Sequence, residues 1–188
     1  MAVLPIRIMG EPVLHSPAAP VETIDDDLRT LVSDMFETMD AAPGVGLAGP
    51  QVGVPLRLFV YSWTDEADEL HRGVALNPEL FITPASPDPA DPDDESEGCL
   101  SFPGERYPLA RGAKALLRAT DIDGSRYEIE CSGWLARIFQ HEYDHLDGIL
   151  YIDRLDHEYE KPVFKTAKKK GWGVPGHSWL PGRDHLED

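Results

Sequence analysis

The chain has 188 residues, of which 41% are hydrophobic, so it is long enough for one domain with a buried core. Its formal net charge of −17 argues against a broad nucleic-acid surface, because phosphates would be repelled. No apolar run approaches the roughly 20 residues that a membrane-spanning helix needs, and residues 1–7 lack the apolar core of a secretion signal. We therefore expect a cytoplasmic protein whose two cysteines are thiols rather than a disulfide.

Hydrophobic spacing predicts a helix near the N-terminus. Apolar residues recur at helical spacing over residues 25–42, and Asp25 or Thr23 can cap the first turn. A glycine-rich loop over residues 44–53 follows directly and ends the helix.

Extended apolar segments predict four strands, and Asp123-Gly124 indicates a hairpin between the last two. Their expected bounds are residues 56–62, 74–83, 113–121 and 126–131. Residues 84–95 hold four prolines and five acidic residues without periodicity, so we expect a surface loop there.

The end of the chain is polar and rich in glycine and proline. Residues 171–188 show neither helical nor strand periodicity, although Trp172 and Trp179 could anchor them to the body. We therefore divide the chain into a main domain, residues 1–164, and a polar Gly/Pro-rich tail, residues 165–188.

The most informative stretch lies on a second predicted helix, over residues 133–146. His141 and His145 are four residues apart, so on a helix their ring nitrogens point to one side and can meet at one metal ion. Glu142 projects close to the same site, near enough to handle a proton from a water molecule at that ion. This pattern is typical of metal-dependent hydrolases.

Such a site usually has a third protein ligand, and three candidates are available. A metzincin-type protease would carry a histidine where Tyr151 stands, and for a thermolysin-like protease Glu158 and Glu160 lie too close along the chain. The third candidate is Cys99, because a thiolate is a strong, soft ligand for Fe(II) or Zn(II). A lone cysteine is more often a small buried hydrophobe, and Cys131 keeps that interpretation.

The glycine-rich loop does not fit a phosphate cradle, because no Gly-Lys-Ser/Thr follows it. It does end in Gln51, an uncharged amide donor that can face a developing oxyanion.

These three segments together resemble the peptide deformylase family. The matching motifs are Gly44 to Gln51, Glu97 to Ser101 (Glu-Gly-Cys-Leu-Ser) and Gln140 to His145 (Gln-His-Glu-x-x-His), in the family's order. The resemblance extends from the N-terminal helix to about residue 155. One departure is Gly49-Pro50, where we expect small changes in loop position rather than loss of activity.

The resemblance implies an α+β fold, with antiparallel or mixed sheets packed around a central metal-binding helix and an N-terminal helix beside them. It also implies removal of the N-formyl group from the N-terminal formyl-methionine of newly synthesised polypeptides. Cys99, His141 and His145 would hold one divalent metal ion, with Fe(II) expected, although the same ligands also accept Zn(II), Ni(II) or Co(II).

The remaining catalytic roles follow from the same resemblance. Glu142 would take a proton from water and deliver it to the departing amine. The side-chain amide of Gln51 and the backbone N–H of Leu100 would stabilise the negative charge that grows on the carbonyl oxygen.

Motif alignment also implies an apolar pocket for the substrate methionine. Gly46 would pair with the substrate backbone, and Arg106 would face the substrate. The side chain of Arg137 would lean over the mouth of the pocket. Glu97 would pair with Arg111 and so brace the loop that contains Cys99. The expected pocket walls are Val45, Gly98, Trp134 and Ile138.

The expected partners are formyl-Met nascent peptides and, through the basic cluster at residues 165–170, a transient ribosome contact. Neither a membrane nor DNA is expected. The alternative function is an HExxH metallo-endopeptidase, which the missing ligand at Tyr151 disfavours.

Overall fold

The computed structural model describes residues 2–186. Its first helix, α1, spans Asp26–Ala41, as the apolar spacing predicts. The Asp25 carboxylate caps it by accepting a hydrogen bond from the Leu28 backbone N–H at 2.9 Å. One face of α1 is buried in the core through Leu28, Val32, Met35 and Met39.

The main sheet is antiparallel and contains five strands within residues 2–186, in the order β2-β3-β4-β7-β8. These strands span Gly46–Ala48 (β2), Leu58–Thr64 (β3), Leu70–Ile82 (β4), Lys114–Thr120 (β7) and Arg126–Ser132 (β8). The predicted hairpin joins β7 to β8. The ladder between β4 and β7 shifts register between Leu76 and Glu79, where Pro78 cannot donate a hydrogen bond.

A second hairpin was not predicted from the sequence. It consists of Ser96–Cys99 (β5) and Phe102–Pro108 (β6), and its register shifts between Gly98 and Cys99. The glycines and prolines of this segment hide the alternation that normally indicates strands.

The second helix, α2, spans Gly133–Leu146, with the bounds expected from the sequence. It packs against β2, β3, β4, β7 and β8, and buries Leu135, Ile138, Phe139 and Leu146 in the core of that face. The predicted α+β fold, with antiparallel sheets around a central helix, is confirmed.

The C-terminal part is more ordered than its composition suggests. Helix α3 spans His157–Lys170, and Ser178–Trp179 (β9) pairs with Ile6–Arg7 (β1). The expectation of no strand after residue 171 is therefore wrong. Acidic residues in the first turn of α3, lysines in its last turn and Gly171 as a left-handed cap favour this helix despite its weak apolar face.

The expected division between residues 164 and 165 falls inside α3 and remains a prediction. Trp179 is almost fully buried, and the ring of Trp172 meets the ring of Phe102 with 5.3 Å between centroids. Both tryptophans thus anchor the C-terminal segment to the body, as expected. Within residues 2–186, no helix combines the length and the apolar character needed to cross a bilayer.

Candidate active site

Three potential metal ligands meet between the β5–β6 hairpin and α2. The ligand atoms of Cys99, His141 and His145 all lie within 4.8 Å of one another, and Cys99 Sγ is 3.4 Å from His145 Nε2. Cys99 lies at the end of β5, while the two histidines occupy successive turns of α2. Of the three candidates for the third ligand, the fold therefore brings Cys99 to the histidines.

The chemistry of this site fits a divalent transition metal. A thiolate and two imidazoles form the kind of donor set that Fe(II) and Zn(II) bind. Glu142 Oε2 lies beside them and is a buried atom without a hydrogen-bond partner among the described residues. Since buried polar atoms are normally paired, this oxygen is available to substrate or water.

The Cys99 sulfur also receives hydrogen bonds. The Ser101 backbone N–H donates to it at 3.4 Å, and Gln51 Nε2 donates at 3.8 Å. Gln51 is held by the short 3-10 helix Gly49–Val52, and its Oε1 accepts a hydrogen bond from the Ala48 N–H at 2.8 Å. The predicted oxyanion donor therefore lies at the sulfur in a fixed orientation.

Glu97 connects the ligands to a buried ion-pair network. It accepts two hydrogen bonds from Arg111, both at 2.9 Å, and the predicted pairing is therefore confirmed. It also accepts from Arg137 Nη1 at 2.8 Å and from His141 Nδ1 at 2.9 Å. Burial alone would raise the pKa of Glu97, but its hydrogen bonds to Arg111 and His141 hold that pKa well below its usual range.

The network continues to residues that the sequence did not indicate. Arg111 Nη1 donates to Asp144 at 2.6 Å, and Asp144 accepts two further hydrogen bonds from Arg154, at 2.7 and 2.8 Å. Gln140 braces α2 in a similar way, because its side-chain amide binds both the N–H and the carbonyl of Gly112 at 2.9 Å. Gln140 is a defined position of the Gln-His-Glu-x-x-His motif, whereas Asp144 occupies one of its variable positions and Arg154 lies outside it.

Glu142 is only 4% exposed. Burial raises its pKa to about 7, a value suited to accepting and returning a proton near neutral pH. Gly46 makes room for this side chain, since a Cβ there would lie within 2.6 Å of Glu142 Cδ.

A cavity of about 530 Å³ opens beside these groups. Its lining includes every residue proposed for substrate binding: Val45, Gly46, Gly98, Arg106, Trp134, Arg137 and Ile138. Trp63 also lines it and was not predicted; its ring lies 6.1 Å from that of Trp134. A single tryptophan near the end of a strand does not indicate, from sequence alone, that its side chain lines a pocket.

The two arginines of this set have distinct contacts. The guanidinium of Arg137 is turned inward onto Glu97 and the Leu109 carbonyl, so it braces the site as well as lining the cavity. Arg106 is exposed and donates from Nη2 to the Ser96 carbonyl at 2.7 Å.

The endopeptidase alternative gains no support from this arrangement. Tyr151 is buried, and its hydroxyl donates to the Glu105 carbonyl at 3.3 Å, while the fold places Cys99 rather than a third histidine beside His141 and His145. Cys131 lies on β8, where burial raises the pKa of its thiol to about 11, in keeping with a packing role.

Comparison with known proteins gives a consistent assignment. The profile of the family described as "Polypeptide deformylase" matches residues 3–161. The peptide deformylase of Rhodococcus opacus (strain B4) is 50% identical over 187 residues, covering 97% of this chain and 95% of that protein.

Comparison with solved structures gives the same family assignment. The peptide deformylase of Ehrlichia chaffeensis in complex with actinonin superposes with a TM-score of 0.78 at 35% identity, covering 90% of this chain and 98% of that chain. The Met-Ala-Ser-bound enzyme of Acinetobacter baumannii gives 0.70 at 35% identity, covering 81% of this chain and 98% of that chain. The chain therefore belongs to the peptide deformylase family, the metal-dependent hydrolases that remove the formyl group from nascent peptides.

Proposed function

We propose that Cys99, His141 and His145 hold one divalent ion and that Glu142, Gln51 and Leu100 carry out deformylation beside it. A divalent ion supplies Lewis-acid chemistry at such a site, making water nucleophilic near neutral pH. The observation that carries this proposal is the convergence of the three ligand atoms next to a buried, unpartnered carboxylate oxygen.

Glu142 is proposed as the group that moves the proton. It takes a proton from water as the water oxygen attacks the formyl carbon, and it delivers that proton to the amine nitrogen as the C–N bond breaks. The products are formate and a peptide with a free N-terminal amine. Its burial and its pKa of about 7 support both halves of this exchange.

Gln51 and Leu100 are proposed to stabilise the carbonyl oxygen while it carries negative charge. Gln51 offers its Nε2 from a side chain whose Oε1 is already engaged by Ala48, so the amide has one defined orientation. Leu100 follows the cysteine directly and lines the cavity. Removing a single donor of this kind commonly costs ~3 kcal/mol of transition-state stabilisation.

The substrate is proposed to lie in the 530 Å³ cavity as an extended peptide that pairs with the backbone of Gly46 on β2. The formyl-methionine side chain then contacts apolar walls that include Trp134 and Ile138. The Met-Ala-Ser peptide bound by the Acinetobacter baumannii relative supports this mode, and the actinonin complex of the Ehrlichia chaffeensis relative suggests that this chain binds actinonin as well.

Three finer assignments remain part of this proposal. The native metal is Fe(II), the protein works in the cytoplasm, and it contacts the ribosome transiently without binding membranes or DNA. The lysines in the last turn of α3 support a ribosomal contact, because they form a basic cluster on an acidic chain.

The deciding experiment measures formate release from formyl-Met-Ala-Ser by anaerobically prepared protein loaded with Fe(II). We expect turnover by the wild type, and a loss of at least 100-fold in Glu142→Gln with metal content unchanged. Glu130→Gln, an exposed residue on β8, is the matched control and should retain full activity. Metal-loaded wild-type protein that releases no formate would contradict the proposal.

A further inference from the structure

A tryptophan of the C-terminal segment makes a hydrogen bond to the backbone of residues 99–101, the loop that contains Cys99. The indole Nε1 of Trp179 donates to the backbone carbonyl of Leu100 at 2.8 Å. Trp179 is 1% exposed, and β9 fixes its backbone because Trp179 pairs with Ile6 in the ladder. Trp179 lies outside residues 3–161, which the family profile matches, whereas its acceptor Leu100 lies inside them.

Holding that carbonyl constrains the peptide groups around the cysteine. The Leu100 carbonyl shares a planar peptide group with the Ser101 N–H, which donates to Cys99 Sγ at 3.4 Å. From the other side, the Met9 N–H donates to the Ser101 carbonyl at 2.9 Å. The loop is therefore tied to β9 at Leu100 and to the N-terminal segment at Ser101.

We propose that Trp179 is a positioning residue for deformylation, which keeps the Leu100 N–H directed at the formyl carbonyl oxygen. The inference rests on the oxyanion role proposed above for Leu100. Without the indole donor, the Leu100 carbonyl loses its buried partner, and the Leu100–Ser101 peptide group is held less tightly, through the contacts of Ser101 with Cys99 and Met9. A shift there passes through Leu100 Cα to the Cys99–Leu100 peptide group, which carries the proposed donor. The donor is then misaligned, although the cavity and the metal ligands are intact.

The matched comparison is Trp179→Phe against Trp172→Phe. Both tryptophans lie in the C-terminal segment and pack on the body, but Trp172 makes no hydrogen bond to residues 99–101 within the described chain. We expect Trp179→Phe to lower kcat about tenfold, part of the 100- to 1000-fold loss seen when a whole donor is removed. KM for formyl-Met-Ala-Ser and Kd for Met-Ala-Ser should change less than about twofold, because the product peptide places no oxyanion at Leu100.

Hydrogen exchange gives a readout that does not depend on metal loading. The amides of Leu100 and Ser101 should exchange at least tenfold faster in Trp179→Phe than in Trp172→Phe. Equal kcat and equal exchange in the two variants would overturn the inference, as would a kcat loss matched by an equal loss of Met-Ala-Ser affinity.

If Trp179→Phe proves poorly folded, 3-benzothienylalanine at position 179 keeps the bicyclic shape while sulfur replaces the N–H. The same kcat loss is expected, and unchanged kcat would overturn the inference. Activity of the wild type distinguishes failure of this inference from failure of the proposed function. If the wild type releases no formate, the proposed function itself is contradicted. An active wild type with an equally active isostere contradicts only the role of Trp179.

Discussion

His141 Nδ1 donates to Glu97 Oε2 at 2.9 Å, so the carboxylate selects the tautomer of the imidazole. In the neutral imidazole with its proton on Nδ1, the other ring nitrogen, Nε2, offers a lone pair that can bind a metal. Glu97 is in turn held by Arg111 and Arg137. Metal affinity and fold stability therefore both depend on the buried carboxylate of Glu97.

We predict that Glu97→Gln weakens both properties. It leaves the two buried guanidinium groups with less compensating charge, which costs about 3–5 kcal/mol of unfolding free energy. It also replaces the carboxylate partner of His141 by a neutral amide, which should lower metal affinity by about 10- to 100-fold. Denaturant unfolding and chelator competition measure the two effects.

The control for this variant is Glu128→Gln. Glu128 pairs with Arg118, but both side chains are about half exposed, at 49% and 51%. Screening by water limits such a pair to about 1 kcal/mol or less. Similar losses in the two variants would contradict a central role for Glu97.

A second prediction concerns the space around the proton carrier. In Gly46→Ala the new methyl group would overlap the Glu142 side chain and force its carboxylate to shift toward the cavity that it lines. We expect kcat for formyl-Met-Ala-Ser to fall about 100-fold, the order of effect of a displaced general base. Thermal unfolding should change little, because alanine is compatible with a strand.

A double-mutant cycle tests that explanation. In a Glu142→Ala background the clash is absent, so adding Gly46→Ala should cost almost nothing further in kcat. An additive loss would show that Gly46 acts by another route, such as pairing with the substrate backbone.

Much of the site was predictable because its chemistry is concentrated in short local patterns. His141, His145 and Glu142 follow from helical periodicity, and α2 has the predicted bounds. The approach of Cys99 to the histidines spans more than 40 residues. Thiolate chemistry makes Cys99 one of three candidates for the third ligand, and only the family resemblance selects it. No local sequence pattern indicates the proposed role of Trp179, because that role depends on the pairing of the two-residue strand β9 with β1 near the N-terminus.

The misses have a common physical cause. Helix α3 is polar on most faces and contains Pro162, so hydrophobic spacing could not indicate it. Asp144 looks like a solvated charge, yet the fold buries its carboxylate between Arg111 and Arg154. Burial of charge depends on partners that are distant in sequence, and a single sequence does not provide this information.

The two cysteines should behave oppositely. Cys99→Ser replaces the soft thiolate by a hydroxyl that stays protonated, so we expect loss of the metal and of formate release. Cys131→Ser should keep both, because that thiol packs on β8 and its pKa is raised by burial to about 11. Metal content after dialysis measures the difference, and retained metal in Cys99→Ser would contradict the proposed ligand set.

The last prediction concerns the aromatic wall of the cavity. Trp134 is 36% exposed and is held between Trp63, at 6.1 Å between ring centroids, and the Arg137 guanidinium, which lies 5.5 Å from its ring. It precedes His141 by two turns of α2, or about 10 Å along the helix axis. Because the ring lines the cavity away from His141, we expect a side chain of a bound peptide to contact it.

Trp134→Ala removes that wall without touching the metal ligands. We expect KM for formyl-Met-Ala-Ser to rise about tenfold or more, since apolar contacts of this size contribute about 1–3 kcal/mol, while kcat falls by less. Phe164→Ala is the control, because this aromatic residue on α3 is 69% exposed and does not line the cavity. A loss confined to kcat, with KM unchanged, would mean that Trp134 supports the helix rather than the substrate.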